Sequence, residues 1–75
     1  MSKMLTDLDV GQAGKIVELT TNDRKMLAIL MRLGIIPGAS LRLLRQKPAL
    51  VIQIGHSKAA LGRDLAAFVR ISPLL

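Results

Sequence analysis

Few residues in this chain could do covalent or acid–base chemistry. The only imidazole is His56, and Ser57 beside it cannot share its direction along a strand, because neighbouring strand side chains point to opposite faces. His56 therefore reads as a solvent-exposed loop residue, with Asp64 a partner only if the fold carries it close. The carboxylates Asp7, Asp9, Glu18, Asp23 and Asp64 are dispersed, and no two stand at a spacing that marks a general acid–base pair. Phosphate chemistry would want a glycine-rich turn between a strand and a helix. The segment "VGQAGK" has glycines and a lysine but neither the P-loop spacing nor a following helix, so it reads as a turn. No enzymatic activity is expected, and no cofactor.

The chain must then act by binding. Its 75 residues suffice for one domain with one core. Apolar residues make up 51% and the single aromatic is Phe68, so the core has to be aliphatic, with Phe68 in a core-like pattern. There is no cysteine, hence neither a disulfide framework nor a thiolate metal site. The apolar run Met26 to Met31 is far short of the ~20 residues of a membrane helix, and the N-terminus lacks a signal-peptide pattern. The expected location is cytoplasmic, with no direct membrane insertion.

A net charge of +6 from 11 basic and 5 acidic residues suits an acidic partner, whether nucleic acid, anionic membrane or an acidic protein face. It also keeps an apolar domain soluble. A nucleic-acid-binding barrel would track phosphates with Arg42, Arg45, Lys47, Lys58 and Arg63. Single-strand readers of this size stack bases on aromatic rings, however, and Tyr and Trp are absent. The same absence argues against ordinary recognition of proline-rich peptides.

Several short strands and one helix must position these groups. Gly14 to Thr20 reads as a strand with Val17 and Leu19 inward, although Ile16 falls on the polar phase. Asn22 or Asp23 caps a helix over about 23–33, which Gly34 stops. Leu27, Leu30, Met31 and Gly34 form its core-facing stripe, and Met26, Ile29 and Leu33 widen the apolar surface. In so small a domain that breadth predicts packing on more than one side, the other outcome being a sticky face for a partner. Pro37 and Gly38 fit a type II turn. "SLRLLRQ" and "LVIQIG", joined at "KPA", read as a hairpin with Leu41 and Leu43 on one face, Arg42 on the other, and Leu44 breaking the alternation. A short strand over 58–61, a helical turn over about 63–67 and a strand over 68–72 follow. The predicted fold is mainly β: a small SH3-like barrel of about five short strands, with one inserted helix and one helical turn.

The order of these features resembles the FeoA family of accessory proteins of bacterial ferrous iron uptake, and the FeoA-like domain of some iron-dependent repressors. The likeness is carried by "LTDLDVGQAGKIVEL", with Leu5, Leu8, Gly11, Gly14, Ile16 and Leu19. It continues through "LMRLGIIPGASLRLL", with Leu33, Gly34, Pro37 and Gly38, and through "AALGRDLAAFVRI", with Ala60, Leu61, Ala66, Val69 and Ile71. Three departures stand out: a short "QKPALV" connection, Gly62 where a polar residue commonly stands, and Ala28 and Ile29 at helix positions often charged in relatives. The resemblance implies a non-catalytic partner of FeoB, the membrane transporter with a cytosolic GTPase domain.

Direct iron carriage does not follow from the residues. Ferrous sites draw on imidazole and carboxylate ligands, of which the chain has one histidine and scattered acids. Asp7 and Asp9 fit a solvated turn with local backbone hydrogen bonds, and Met26 and Met31 sit at a helical spacing that suits core or interface. No metal site is expected. The residues expected to meet a partner are Arg24, Lys25, Ile29 and Arg32 on the helix, with Arg42 and Arg45 on the following strand as secondary candidates. A homo-oligomer is compatible with the apolar helix. The readings from other classes are a basic nucleic-acid-binding barrel and a repressor-type oligomerisation domain; on the favoured one, no nucleic acid is bound.

Overall fold

The alternating apolar segments are satisfied by one curled sheet. In the computed structural model, which describes residues 2–74, the chain runs β1 (Lys3–Met4), a 3-10 turn (Leu5–Asp7), β2 (Ala13–Leu19), α1 (Arg24–Arg32), β3 (Ser40–Arg45), β4 (Leu50–Ile54), β5 (Ser57–Leu61), α2 (Arg63–Ala66) and β6 (Val69–Leu74). The six strands form one sheet in the order β1-β6-β2-β3-β4-β5, with every pairing antiparallel. Two successive hairpins build β3, β4 and β5, and α2 then returns the chain so that β6 enters between β1 and β2. The second hairpin turns at Gly55–His56, where Gly55 takes φ 60°, as a two-residue hairpin turn demands. His56 stands exposed at its tip.

The sheet wraps a single aliphatic core. Leu5, Ile16, Leu30, Ile35, Leu43, Ile52 and Ile71 are all fully buried within it. Gln46, just after β3, ties the loop before β2 to α2: its Nε2 donates to the Leu8 carbonyl at 2.6 Å and its carbonyl accepts from Arg63 Nη2 at 3.1 Å. The loop before β2 is tied to β3 by Gly11 N–H donating to the Leu43 carbonyl (2.7 Å) and Leu43 N–H to the Gln12 carbonyl (3.0 Å).

Several expectations change. There are six strands rather than five, because two-residue β1 is too short to show a period. Ile16, not Val17, points inward: the register shifts between Ile16 and Glu18, so a bulge at Val17 puts both Ile16 and Leu19 on the core side and leaves Val17 exposed. A second shift between Leu43 and Arg45 explains the broken alternation at Leu44 in the same way. Phe68 lies outside β6 and is only half-buried. The last strand runs to Leu74 instead of Ser72, and α2 stops at Ala66.

Gly14 pairs with Pro73 where β2 runs antiparallel to β6, and a Cβ there would overlap Ile71 Cγ2. Gly14→Ala should lower stability by about 1–3 kcal/mol through overpacking, read as a lower urea midpoint at unchanged m. The same substitution should cost less in an Ile71→Ala background, because the two sites couple through that overlap. An additive cycle would place the cost elsewhere.

Candidate protein interface

Asp23 starts α1. Its carboxylate accepts from the backbone N–H groups of Lys25 (2.9 Å) and Met26 (3.4 Å), two of the four donors that a helix start leaves free. At the other end Gly34 takes φ 87°. Ile35 N–H donates to the Leu30 carbonyl and Gly34 N–H to that of Met31, both at 2.9 Å, which is the Schellman pattern. Its usual apolar contact joins the two residues that the motif brings together, and here Leu30 and Ile35 are both fully buried.

A helix pinned by Leu30 has little else to bury. Met26, Leu27 and Leu33 are half-buried, while Ile29 is 43% and Met31 53% exposed. The core-facing stripe therefore excludes Met31, and the helix packs on one side only. The sequence spacing misleads because Met31 and Leu27 sit at the margin of the stripe, and only the tilt set by Leu30 and Ile35 decides which of them is covered. The outer side carries Lys25, Ala28, Ile29 and Arg32 at i, i+3, i+4 and i+7, all exposed. Three of the four predicted helix residues thus share one stripe, an isoleucine between two cations. Arg24 lies beside it, in line with Met31.

Charge placement along α1 is uneven. Arg32 in the last turn complements the negative helix end. Arg24 and Lys25 do the opposite, since the first turn holds two cations and no acid. Positive charge at the positive end of the dipole opposes helix stability, and the Asp23 carboxylate at the N-cap offsets it.

The predicted strand residues form a separate group. Arg42 and Arg45 are exposed on the outer side of β3, and Arg42 Nη1 donates to the Gly11 carbonyl. Arg42, but not Arg45, lines an open groove of about 360 Å³ together with Ser40, Gln53, Gly55 and Leu74. Residue-by-residue reading singles out Arg42 and Arg45 but misses Ser40, Gln53 and Leu74 beside Arg42, because they come from separate strands. Among the described residues no three His, Cys, Asp or Glu side chains are grouped to hold a metal ion, and the turn at Asp9 is closed by the Gln12 side chain, whose Oε1 accepts from Asp9 N–H at 3.1 Å, rather than by an aspartate carboxylate. Among the described residues no helix is long and apolar enough to cross a membrane.

Comparison with known proteins adds to this geometry. The family profile described as the FeoA domain matches residues 3–73. A crystal structure of an iron uptake regulatory protein, FeoA, is similar over 99% of both chains, with 26% identity and a TM-score of 0.91. FeoA of Stenotrophomonas maltophilia, crystallised with zinc and described as a prokaryotic SH3 domain protein, matches over 96% of this chain and 89% of its own, at 20% identity and a TM-score of 0.78. The T. acidophilum IdeR structure matches over 96% of this chain but 34% of its own, at 17% identity and a TM-score of 0.91, which shows a shared fold alone. No curated protein sequence gives a significant match.

Adjacent residues of α1 should respond in opposite ways. Ile29→Asp should change the unfolding free energy by no more than about 0.5 kcal/mol, as for exposed sites in general. Leu30→Ala should cost about 2–5 kcal/mol through lost burial and the cavity left behind. Urea denaturation of both variants checks the pair.

Proposed function

Since the chain belongs to the FeoA family, we propose that it is a non-enzymatic accessory protein of ferrous iron uptake that docks through α1 on the cytosolic region of the FeoB membrane transporter. The association with iron uptake is supported by the likeness to the iron uptake regulatory protein over its whole length. The observation that carries the docking reading is the exposed stripe of α1. Ile29 stands on it between Lys25 and Arg32, on a helix already immobilised by Leu30 and Ile35. An exposed apolar side chain flanked by two cations fits an apolar contact with a polar rim. Preordering matters because a helix that is already fixed loses little further entropy on binding.

The work done is a shift of the partner's equilibrium. A domain without catalytic groups changes a transporter only if it binds one conformational or nucleotide state more tightly than another. The size of the shift is bounded by that difference in affinity. Such a role places the protein in the cytoplasm beside the membrane, and GTP in the partner.

Titration of the purified cytosolic region of FeoB, in its GTP and GDP states, tests this. Saturable binding with different affinities in the two states is expected, and Ile29→Asp should weaken it roughly tenfold or more, as loss of an interface anchor does. Unchanged affinity in Ile29→Asp and Arg32→Glu would remove α1 as the contact. Absence of binding in either state would overturn the reading.

A further inference from the structure

The cations are segregated along the chain. Residues 24–63 contain eight of the 11 Lys and Arg residues and no carboxylate, and all five acids lie outside that stretch. The sheet turns this into a surface. Arg42 pairs with Gln53 and Gln53 with Lys58, so the three stand in one row across β3, β4 and β5. With strands ~4.8 Å apart, Arg42 and Lys58 are about 10 Å from each other along that row. In the next row Arg45 faces Val51 and Val51 faces Ala60. On the other flank Lys15 of β2 faces Ser40 of β3. Lys15, Arg42, Arg45 and Lys58 are all exposed, while Leu41, Leu43, Leu50 and Ile52 point the other way into the core.

Among the described residues no carboxylate pairs with these four side chains. The ion pair among the described residues is Arg70 with Glu18, on β6 and β2, and Arg42 is held by a carbonyl, which leaves its charge uncompensated. The face also lacks the features of other polyanion and protein sites. It has no aromatic ring on which a base could stack. Between its cations stand Ser40, Val51, Gln53 and Ala60, none of them the large buried anchor that protein interfaces centre on. A charged plane needs no anchor, because each Lys or Arg near an anionic bilayer contributes independently through the surface potential. The groove beside Arg42 adds a recess where Ser40 and Gln53 supply further donors and exposed Leu74 an apolar wall.

We infer that the outer face of β2–β5, carrying Lys15, Arg42, Arg45 and Lys58, binds the anionic headgroup surface of a bilayer. The binding is peripheral and uses none of the α1 stripe, so it goes beyond the docking reading and is tested without any transporter present.

The experiment is co-sedimentation of the full chain with vesicles of phosphatidylcholine alone and with one-third phosphatidylglycerol, at low salt. Binding to the anionic vesicles only, lost when salt shortens the Debye length to a few ångströms, is expected. Arg42→Gln/Arg45→Gln/Lys58→Gln should reduce the partition coefficient by roughly tenfold or more. Lys3→Gln/Arg24→Gln/Arg70→Gln, which removes equal charge elsewhere, should reduce it much less. Equal loss in both triple variants would reduce the effect to net charge and overturn the face. Failure of the wild type to bind the anionic vesicles, equal binding to both vesicle types, or tighter binding to a short DNA duplex at matched charge would overturn the inference whether or not a variant folds.

Discussion

At the end of α1 the backbone of Gly34, at φ 87°, lets two N–H groups close onto the carbonyls of Leu30 and Met31. This draws Ile35 over Leu30, and both side chains vanish into the core. A side chain at position 34 would oppose that left-handed conformation. The chain then turns at Pro37–Gly38, with Ala39 N–H donating to the Ile36 carbonyl at 3.1 Å and Gly38 at φ 96°, the type II geometry. Gly38 N–H donates to the Ile16 carbonyl and Ile16 N–H to the Ala39 carbonyl, each at 2.7 Å. One corner thereby sets the helix against the barrel and seats β3 against β2.

What faces outward follows from that corner and from two bulges. A strand side chain changes face with each residue, so a single extra residue inverts everything after it. At Val17 the inversion keeps Ile16 and Leu19 together on the core side. At Leu44 it keeps Arg45 opposite Val51, in the outer row next to that of Arg42 and Gln53. Without the second bulge Arg45 would turn toward the core, where an unpaired charge is not tolerated. The bulges thus reconcile an irregular apolar pattern with a one-sided cationic surface.

Two surfaces of different chemistry result. On α1 an isoleucine stands between cations, the mixture that suits a protein partner. On the sheet the cations are spread across strands with small residues between them, which suits a charged plane. An aliphatic core of this kind leaves no aromatic side chain fully buried or grouped on either surface, and for a barrel of this type that removes the ring-lined recognition modes otherwise open to it.

Much of the molecule was legible in the residues themselves. The Asp23 cap, the Gly34 stop, the Pro37–Gly38 turn and the β3–β4 hairpin are local devices whose signals lie within four or five residues, so sequence alone determines them. The order of these devices also identified the family. Interruptions of alternation at Ile16 and Leu44 were visible, but their meaning was not, because a bulge is defined by the partner strand and the partner is not written in the strand. The same holds for Met31, whose burial depended on the tilt that Leu30 and Ile35 impose, and for the row of Arg42, Gln53 and Lys58, which exists only across three paired strands. Local conformation is decided by neighbours in the chain. Which cations share a face is decided by register, and register is a property of the assembled sheet.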